Sequence, residues 1–420
     1  MLPHPVSAAD RIHNAYGRFA WRSMGVRHIA LVAGLALLWP FIFIAMAGMF
    51  TRRIGPAVAT ATGKGVLRQL WEQLCLAATC SIPPDKYYVF ELFRDDRRAQ
   101  ANDYILRYEL KGGLHNLMHF HTKQATGHSS KSELKDKLAF TRRCRAAGVD
   151  APIVLLYLDA DGNIMPEGQN AVGLPQADIF IKPAKGKGGR GCEKWVYHDG
   201  RYVGPDARTL DDAGLLAHIV DLANQRGRYL VQECLCNNAA MRDLGELTSL
   251  RITSCKTEDG DFEATNATLK LALGGSGVDN FHQGGAVARV DMASGTVGPA
   301  SDSWLKRPCV WHERHPVTMA PIAGRILPYW HETVRLVERA HRLFPDRMML
   351  GFDVAITDRG PVVIEGNVQS GCDMIQRTHD EPVGRQRLGE LLAHHADEAA
   401  KARITHRMRW FGPFDYFRRR

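Results

Sequence analysis

The chain has 420 residues, 45% hydrophobic and 24% charged, a globular composition able to bury a full core in two or three folded units. Its formal net charge of +9 suits nucleic acid, a membrane surface or a phosphate-bearing ligand, without choosing among them. Nine cysteines, an odd number with no CxxC pair, exclude a disulfide framework and point to a reducing compartment.

The first predicted element is residues 29–50, "IALVAGLALLWPFIFIAMAGMF", uncharged over a length that matches the roughly 20 residues a bilayer core requires. A cleaved signal peptide has a shorter apolar run and a small-residue cleavage site, so the stretch reads as an uncleaved anchor. Arg18, Arg22 and Arg27 precede it and Arg52 and Arg53 follow it, so the positive-inside rule does not orient it. Pro40 kinks such a helix and leaves a re-entrant or interfacial arrangement open. Residues 51–130 have a helical pattern with a breaker at Pro83 and Pro84. His115 and His119 stand one helical turn apart there, but no carboxylate or third ligand is suitably spaced, so they read as hydrogen-bonded histidines and not as metal ligands.

After residue 130 the pattern changes to strands, turns and glycines. In "ADIFIKPAKGKGGRG" (177–191) an apolar strand ends at Lys182 and Pro183, and Gly186, Gly188 and Gly191 form a GxGxxG. A dinucleotide fold would continue into a helix, yet "CEKWVYHDGRYV" alternates around an Asp199-Gly200 turn and predicts a hairpin. A Walker A loop is excluded because Cys192 follows Gly191. The remaining readings are a solvated basic turn and a glycine flap that closes over phosphates, with Lys182, Lys185, Lys187 and Arg190 supplying charge. "RYLVQECL" (228–235) reads as a buried strand whose end can offer backbone groups to an adenine edge. "SLRITSCKTEDGDFEATNATLKLAL" (249–273) predicts a hairpin about Asp259-Gly260, with Arg251 and Lys270 as cations that either snorkel or meet a phosphate. The loop "DNFHQGG" (279–285), with Asn280, His282 and Gln283, suits a substrate loop or a plain turn.

The most informative stretch is "GFDVAITDRGPVVIEGN" (351–367), two apolar strands interrupted by Asp353, Glu365 and Asn367. A three-residue turn over Asp358, Arg359 and Gly360 would set Asp353 opposite Glu365, with Asn367 on the same face and Phe352, Val354, Ile356, Val362 and Ile364 on the other. Two carboxylates and an amide in one patch resist burial unless a hard cation joins them. Mg²⁺ bridging nucleotide phosphates meets that need.

These residues carry a resemblance. Asp353 followed by Glu365-Gly366-Asn367 resembles the magnesium signature of the ATP-grasp superfamily, and "IKPAKGKGGRG" resembles its phosphate lysine and flap. Asp136-Lys137 leading to "GVDAP" (148–152) resembles the start of its core, and "LVQECL" its linker strand. With "DNFHQGG" and the basic helical front, the chain is most similar to the sugar-transfer-associated ATP-grasp family, over about 130–376. The resemblance implies an α+β ATP-grasp fold, two α+β subdomains clasping ATP, preceded by an apolar helix and a helical region. It implies Lys137, Lys182 and Lys185 at the phosphates, Gly186, Gly188, Gly189 and Gly191 over them, and Gln232, Glu233 and Leu235 at adenine and ribose. Arg251, Lys270, Asn280 and His282 would serve catalysis, and Asp353, Glu365 and Asn367 would hold Mg²⁺, with Mn²⁺ as an alternative. The acidic ribose residue of many members is not evident in "CNNAAM".

The implied activity is an Mg-ATP-dependent ligase that activates a carboxylate as an acyl-phosphate in cell-surface polysaccharide biosynthesis; the alternative is a phosphotransferase acting on a sugar or small molecule. A small-molecule or lipid-linked sugar is the expected substrate and no nucleic-acid partner is expected. The basic, aromatic tail 402–420 suits an anionic lipid interface. The expected organisation is a basic segment and membrane anchor (1–50), a helical region (51–130), a catalytic domain (131–395) facing the cytoplasm at the inner membrane, and the tail (396–420).

Overall fold

The computed structural model describes residues 6–23, 26–127, 129–159, 161–167, 173–186, 189–273, 285–301 and 309–401. The predicted residues Lys187, Gly188, Asn280, His282 and Gln283, and the tail 402–420, lie outside them.

Two seven-stranded sheets carry the predicted strands. The first comprises β1 (Val154–Leu158), β2 (Ile164–Pro166), β3 (Ile179–Pro183), β4 (Glu193–His198), β5 (Arg201–Val203), β6 (Thr209–Leu210) and β7 (Tyr229–Glu233), in the order β2-β1-β7-β3-β4-β5-β6. The second comprises β8 (Ser249–Lys256), β9 (Phe262–Leu271), β10 (Ala286–Val290), β11 (Val297–Ser301), β12 (Trp311–His312), β13 (Met349–Thr357) and β14 (Gly360–Asn367), in the order β12-β11-β10-β9-β8-β13-β14. The two expected hairpins form: Asp199 and Gly200, both at positive φ, join β4 to β5, and Gly260 turns β8 into β9. Helices and sheet are mixed throughout the described residues, the α+β class expected.

The β13–β14 hairpin pairs Asp353 with Glu365 as expected, but by a different route. Its turn has two residues, Asp358 and Arg359, because Thr357 pairs with Gly360, and a bulge between Asp353 and Val354 restores the register. The bulge also re-aims the apolar residues. Val363, not Val362, joins Phe352, Val354 and Ile356 in the main core, whereas Val362 and Ile364 pack with Leu235, Leu247 and Ala355 in a separate small cluster.

The helical front shares cores with the sheets. Ile54 and Val58 are buried among Tyr87, Tyr88, Phe90 and Val287 of β10. The helix Ala8–Ser23 buries Ala9, Ile12, Ala15 and Phe19 against Leu114, Leu117, Leu391 and Leu392. Between these, Val26–Thr62 is one 37-residue helix that runs through Pro40 and Pro56. Its part Leu38–Thr62 is long and apolar enough to cross a membrane by length and composition, with a mean hydropathy of 1.3 and 33% of the apolar window buried in the protein. His115 Nε2 lies 2.8 Å from the Ser370 carbonyl and His119 Nε2 3.3 Å from Ser129 Oγ. Burial first, and nearby cations second, lower both imidazoles to about 4.

Candidate active site

Strand pairing builds the site. On β8, Arg251 lies directly across from Asp353 on one side and from Thr268 on the other, and Lys270 is two residues beyond Thr268. Because side chains alternate with period two, Lys270, Arg251, Asp353, Glu365 and Asn367 line one face across β9, β8, β13 and β14. Arg251 grips Asp353 with both arms, Nε to Oδ1 at 2.6 Å and Nη2 to Oδ2 at 3.0 Å, and Lys270 Nζ is 3.5 Å from Oδ1. Gly351, next on the same face, leaves the room for this: a Cβ there would come within 2.5 Å of Ser370 Oγ and 3.1 Å of Arg251 Cδ.

The two carboxyl groups respond oppositely to this setting. Burial works against ionisation of Asp353, yet the Arg251 and Lys270 charges hold its carboxyl well below the usual range. Burial and the neighbouring Asp353 charge push Glu365 up, against the pull of Lys137 and Arg251. Asn367 Nδ2 lies 3.2 Å from Glu365 Oε1 and 3.5 Å from Asp353 Oδ2. A flip of this amide, whose O and N are assigned by their surroundings, presents a third oxygen. A buried and a half-buried carboxylate, one of them unwilling to ionise beside the other, with an amide in reach form a donor set that fits a hard dication.

Facing them is a cationic pair from the other half. Lys182 ends β3 with its ammonium buried, and it forms no ion pair or hydrogen bond among the described residues. Burial lowers it from 10.5 to about 8, offset in part by Glu365. Lys137 opens the helix Lys137–Ala146, which Asp136 caps by accepting from the Leu138 and Ala139 N–H groups. Its backbone N–H donates to the Ala184 carbonyl and its Nζ to the Gly186 carbonyl at 3.2 Å, which ties the helix start to the glycine loop. Gly189 and Gly191 both have positive φ, and a Cβ at Gly191 would lie 2.9 Å from Tyr229 Oη. Lys185 is exposed beside the loop.

At the end of β7 the expected trio divides. Gln232 is buried, and its Oε1 has no hydrogen-bond partner among the described residues, an orphaned acceptor that suits a ligand donor. Leu235 belongs to the small cluster with Ala355 and Ile364. The Glu233 carboxylate is engaged by the protein itself: it accepts from the Ile153 N–H at 2.7 Å and takes both arms of Arg359 at 2.5 Å, which clasps β7 to the β13–β14 turn. Neither the Arg359 clasp nor the clearance at Gly351 was read from the sequence. A glycine inside a strand is the available signal for the second, and the first, a contact across 126 residues, leaves none.

A sugar-transfer associated ATP-grasp family model matches residues 119–388. Among solved structures, the D-alanyl-alanine synthetase A from Vibrio cholerae O1 biovar eltor str. N16961 is 12% identical with a TM-score of 0.38, over 65% of this chain and 67% of that one. An L-amino acid ligase from Bacillus licheniformis is 11% identical with a TM-score of 0.35, over 68% of this chain and 54% of the other. VanG D-Ala:D-Ser ligase from Enterococcus faecalis is 12% identical with a TM-score of 0.36, over 63% of each chain. The chain thus spans about two thirds or less of each. No curated protein matches it.

Proposed function

The chain belongs to the sugar-transfer associated ATP-grasp family and is an ATP-grasp enzyme; from that premise we propose that it is an Mg-ATP-dependent ligase that activates a carboxylate for transfer to a nucleophile. The observation that carries the reading is the row Lys270, Arg251, Asp353, Glu365 and Asn367 on one sheet face, with Lys137 and Lys182 electrostatically coupled to Glu365 from the other half.

Asp353, Glu365 and Asn367 are the residues that would hold Mg²⁺, which supplies charge neutralisation for phosphate oxygens when bound. Lys137 and Lys182 neutralise the phosphates, and Gly186, Gly189 and Gly191 cover them with backbone N–H groups. The Gln232 amide and the Leu235, Ala355 and Ile364 cluster make the purine side of the pocket. Arg251 and Lys270 sit where the transferred phosphoryl group develops charge. In that reaction an acyl oxygen attacks the terminal phosphorus and ADP leaves; the nucleophile then attacks the acyl carbon and phosphate leaves with the bonding pair. Such chemistry asks for positioning and charge more than for a strong base, which suits a set of lysines, an arginine and backbone amides around a metal. The sugar-transfer affiliation supports a saccharide-bearing acceptor in cell-surface polysaccharide assembly, and the apolar helix supports work at the cytoplasmic side of the inner membrane.

ADP release by the full chain, screened against amino acids and nucleotide sugars, tests the reading. Asp353→Asn and Glu365→Gln each lower turnover on the order of a hundredfold or more with the folded state retained by circular dichroism. Full activity in either variant removes the metal assignment. Release of ADP and phosphate with a new amide or ester supports the ligase; phosphate retained on the acceptor replaces it with a phosphotransferase.

A further inference from the structure

The helix Val26–Thr62 is about 55 Å long at 1.5 Å per residue, and its flanks determine how it can meet a membrane. From Phe43 onward the helix is docked. Phe43, Ala47, Thr51, Ile54 and Val58, spaced by four, four, three and four, form one stripe turned into the protein. Thr51 Oγ1 accepts from Gln73 Nε2 at 2.7 Å, and Gln69 Nε2 donates to the Gly55 carbonyl at 3.1 Å, so the lower half is locked to the helix Val66–Cys80. Residues 24–42, between this docked half and the helix Ala8–Ser23, would measure about 28 Å as a helix, too little to cross the roughly 30 Å hydrocarbon core of a bilayer and return.

The other flank is bound to the same body. The helix Ala8–Ser23 buries Ala9, Ile12, Ala15 and Phe19 in the core made with Leu391 and Leu392. Arg11 Nε donates to Asp397 at 2.8 Å, and His13 Nδ1 lies 2.6 Å from Glu109 Oε1. A helix that crosses a bilayer delivers its two flanks to opposite sides of it. Here both flanks are packed into one folded unit.

Outside the buried stripe, Leu38, Phe41, Ile44 and Met49 are each more than half exposed, and the exposed surface then changes at one point to Arg52 and Arg53. Apolar residues followed by paired arginines complement acyl chains beneath anionic headgroups. We propose that this helix lies along a single leaflet of an anionic membrane, with Phe41 and its neighbours among the acyl chains and Arg52 and Arg53 at the headgroups, and that the protein does not span the bilayer.

Two measurements on the full chain test this. The first is flotation with phosphatidylcholine vesicles with and without a minority of phosphatidylglycerol. The chain floats with the anionic vesicles, Arg52→Gln with Arg53→Gln binds them roughly thirtyfold more weakly, and Phe41→Glu with Met49→Glu abolishes flotation while ADP release is unchanged. Failure of the wild-type chain to float assigns the face to a protein partner or a second copy and overturns the proposal. The second uses Ser7→Cys and the native exposed Cys236 in sealed vesicles, read by mass spectrometry after a membrane-impermeant maleimide. Both sites label from the same side; labelling from opposite sides establishes a span and overturns it equally.

Discussion

Lys182 is an ammonium stored inside the protein, and its protonation sets when the site is ready for a polyanion. Burial brings it from 10.5 down to about 8, so the ligand-free site begins to lose this charge just above neutral pH. Phosphate oxygens beside it favour the charged form, so nucleotide binding takes up a proton above about 8. Affinity for ATP therefore falls as pH rises through 8, by up to roughly tenfold per unit. Competition with a fluorescent nucleotide between pH 7 and 11 measures it; Lys182→Met weakens binding and flattens the profile, whereas a flat wild-type profile removes Lys182 from the phosphates. The same group sets a stability trend. The unfolded chain holds its lysine proton to 10.5 and the folded one only to about 8, so the ligand-free protein gains stability from this group as pH rises between those values.

The hairpin β13–β14 shows how elements bring such residues into place. Gly366 separates Glu365 from Asn367 and faces away from them, where a Cβ would come within 2.8 Å of Leu134 Cδ2 and 3.0 Å of Phe140 Cε2. The helices Lys131–Lys135 and Lys137–Ala146 therefore rest directly on β14, close enough for the Lys137 charge to act on Glu365. Gly366→Ala overpacks that contact, with an expected loss of about 1–3 kcal/mol in urea unfolding and a raised KM for ATP as Lys137 shifts; unchanged values for both would show that the contact relaxes without moving the lysine. The pairing of Asp353 with Glu365 was legible in the sequence because alternation marks one face of each strand. The bulge was not, since Val362, Val363 and Ile364 are apolar in either frame and alternation cannot tell which of them faces the core. Both short hairpins were likewise legible, each written in a few adjacent residues. What joins the halves was not: Arg359 finds Glu233, and Ile54 and Val58 find β10, through contacts distant in sequence that no local pattern encodes.

At the scale of the molecule, the N-terminal helix closes the structure against the C-terminal one, and its attachment depends on pH. His13 bridges Glu109 and, through Nε2 at 2.9 Å, the Asn102 carbonyl. Burial alone would lower the imidazole, but the Glu109 hydrogen bond and charge outweigh it and raise His13 from 6.5 to about 9. A folded-state pKa above the unfolded one stabilises fully below 6.5, and that contribution is lost as pH rises through about 9. Glu109 is buried and also accepts from the Leu106 N–H at 2.7 Å, so it keeps its place when the imidazole loses its proton. His13→Gln, which keeps a hydrogen-bonding side chain without the charge, is expected to cost about 1–2 kcal/mol at pH 6, and to unfold together with wild type at pH 10. Urea unfolding of both proteins at the two pH values checks it. A gap that persists undiminished at pH 10 would mean that the imidazole holds this helix by shape, and that the charge contributes nothing to docking the N-terminal flank on which the one-sided seating at a membrane depends.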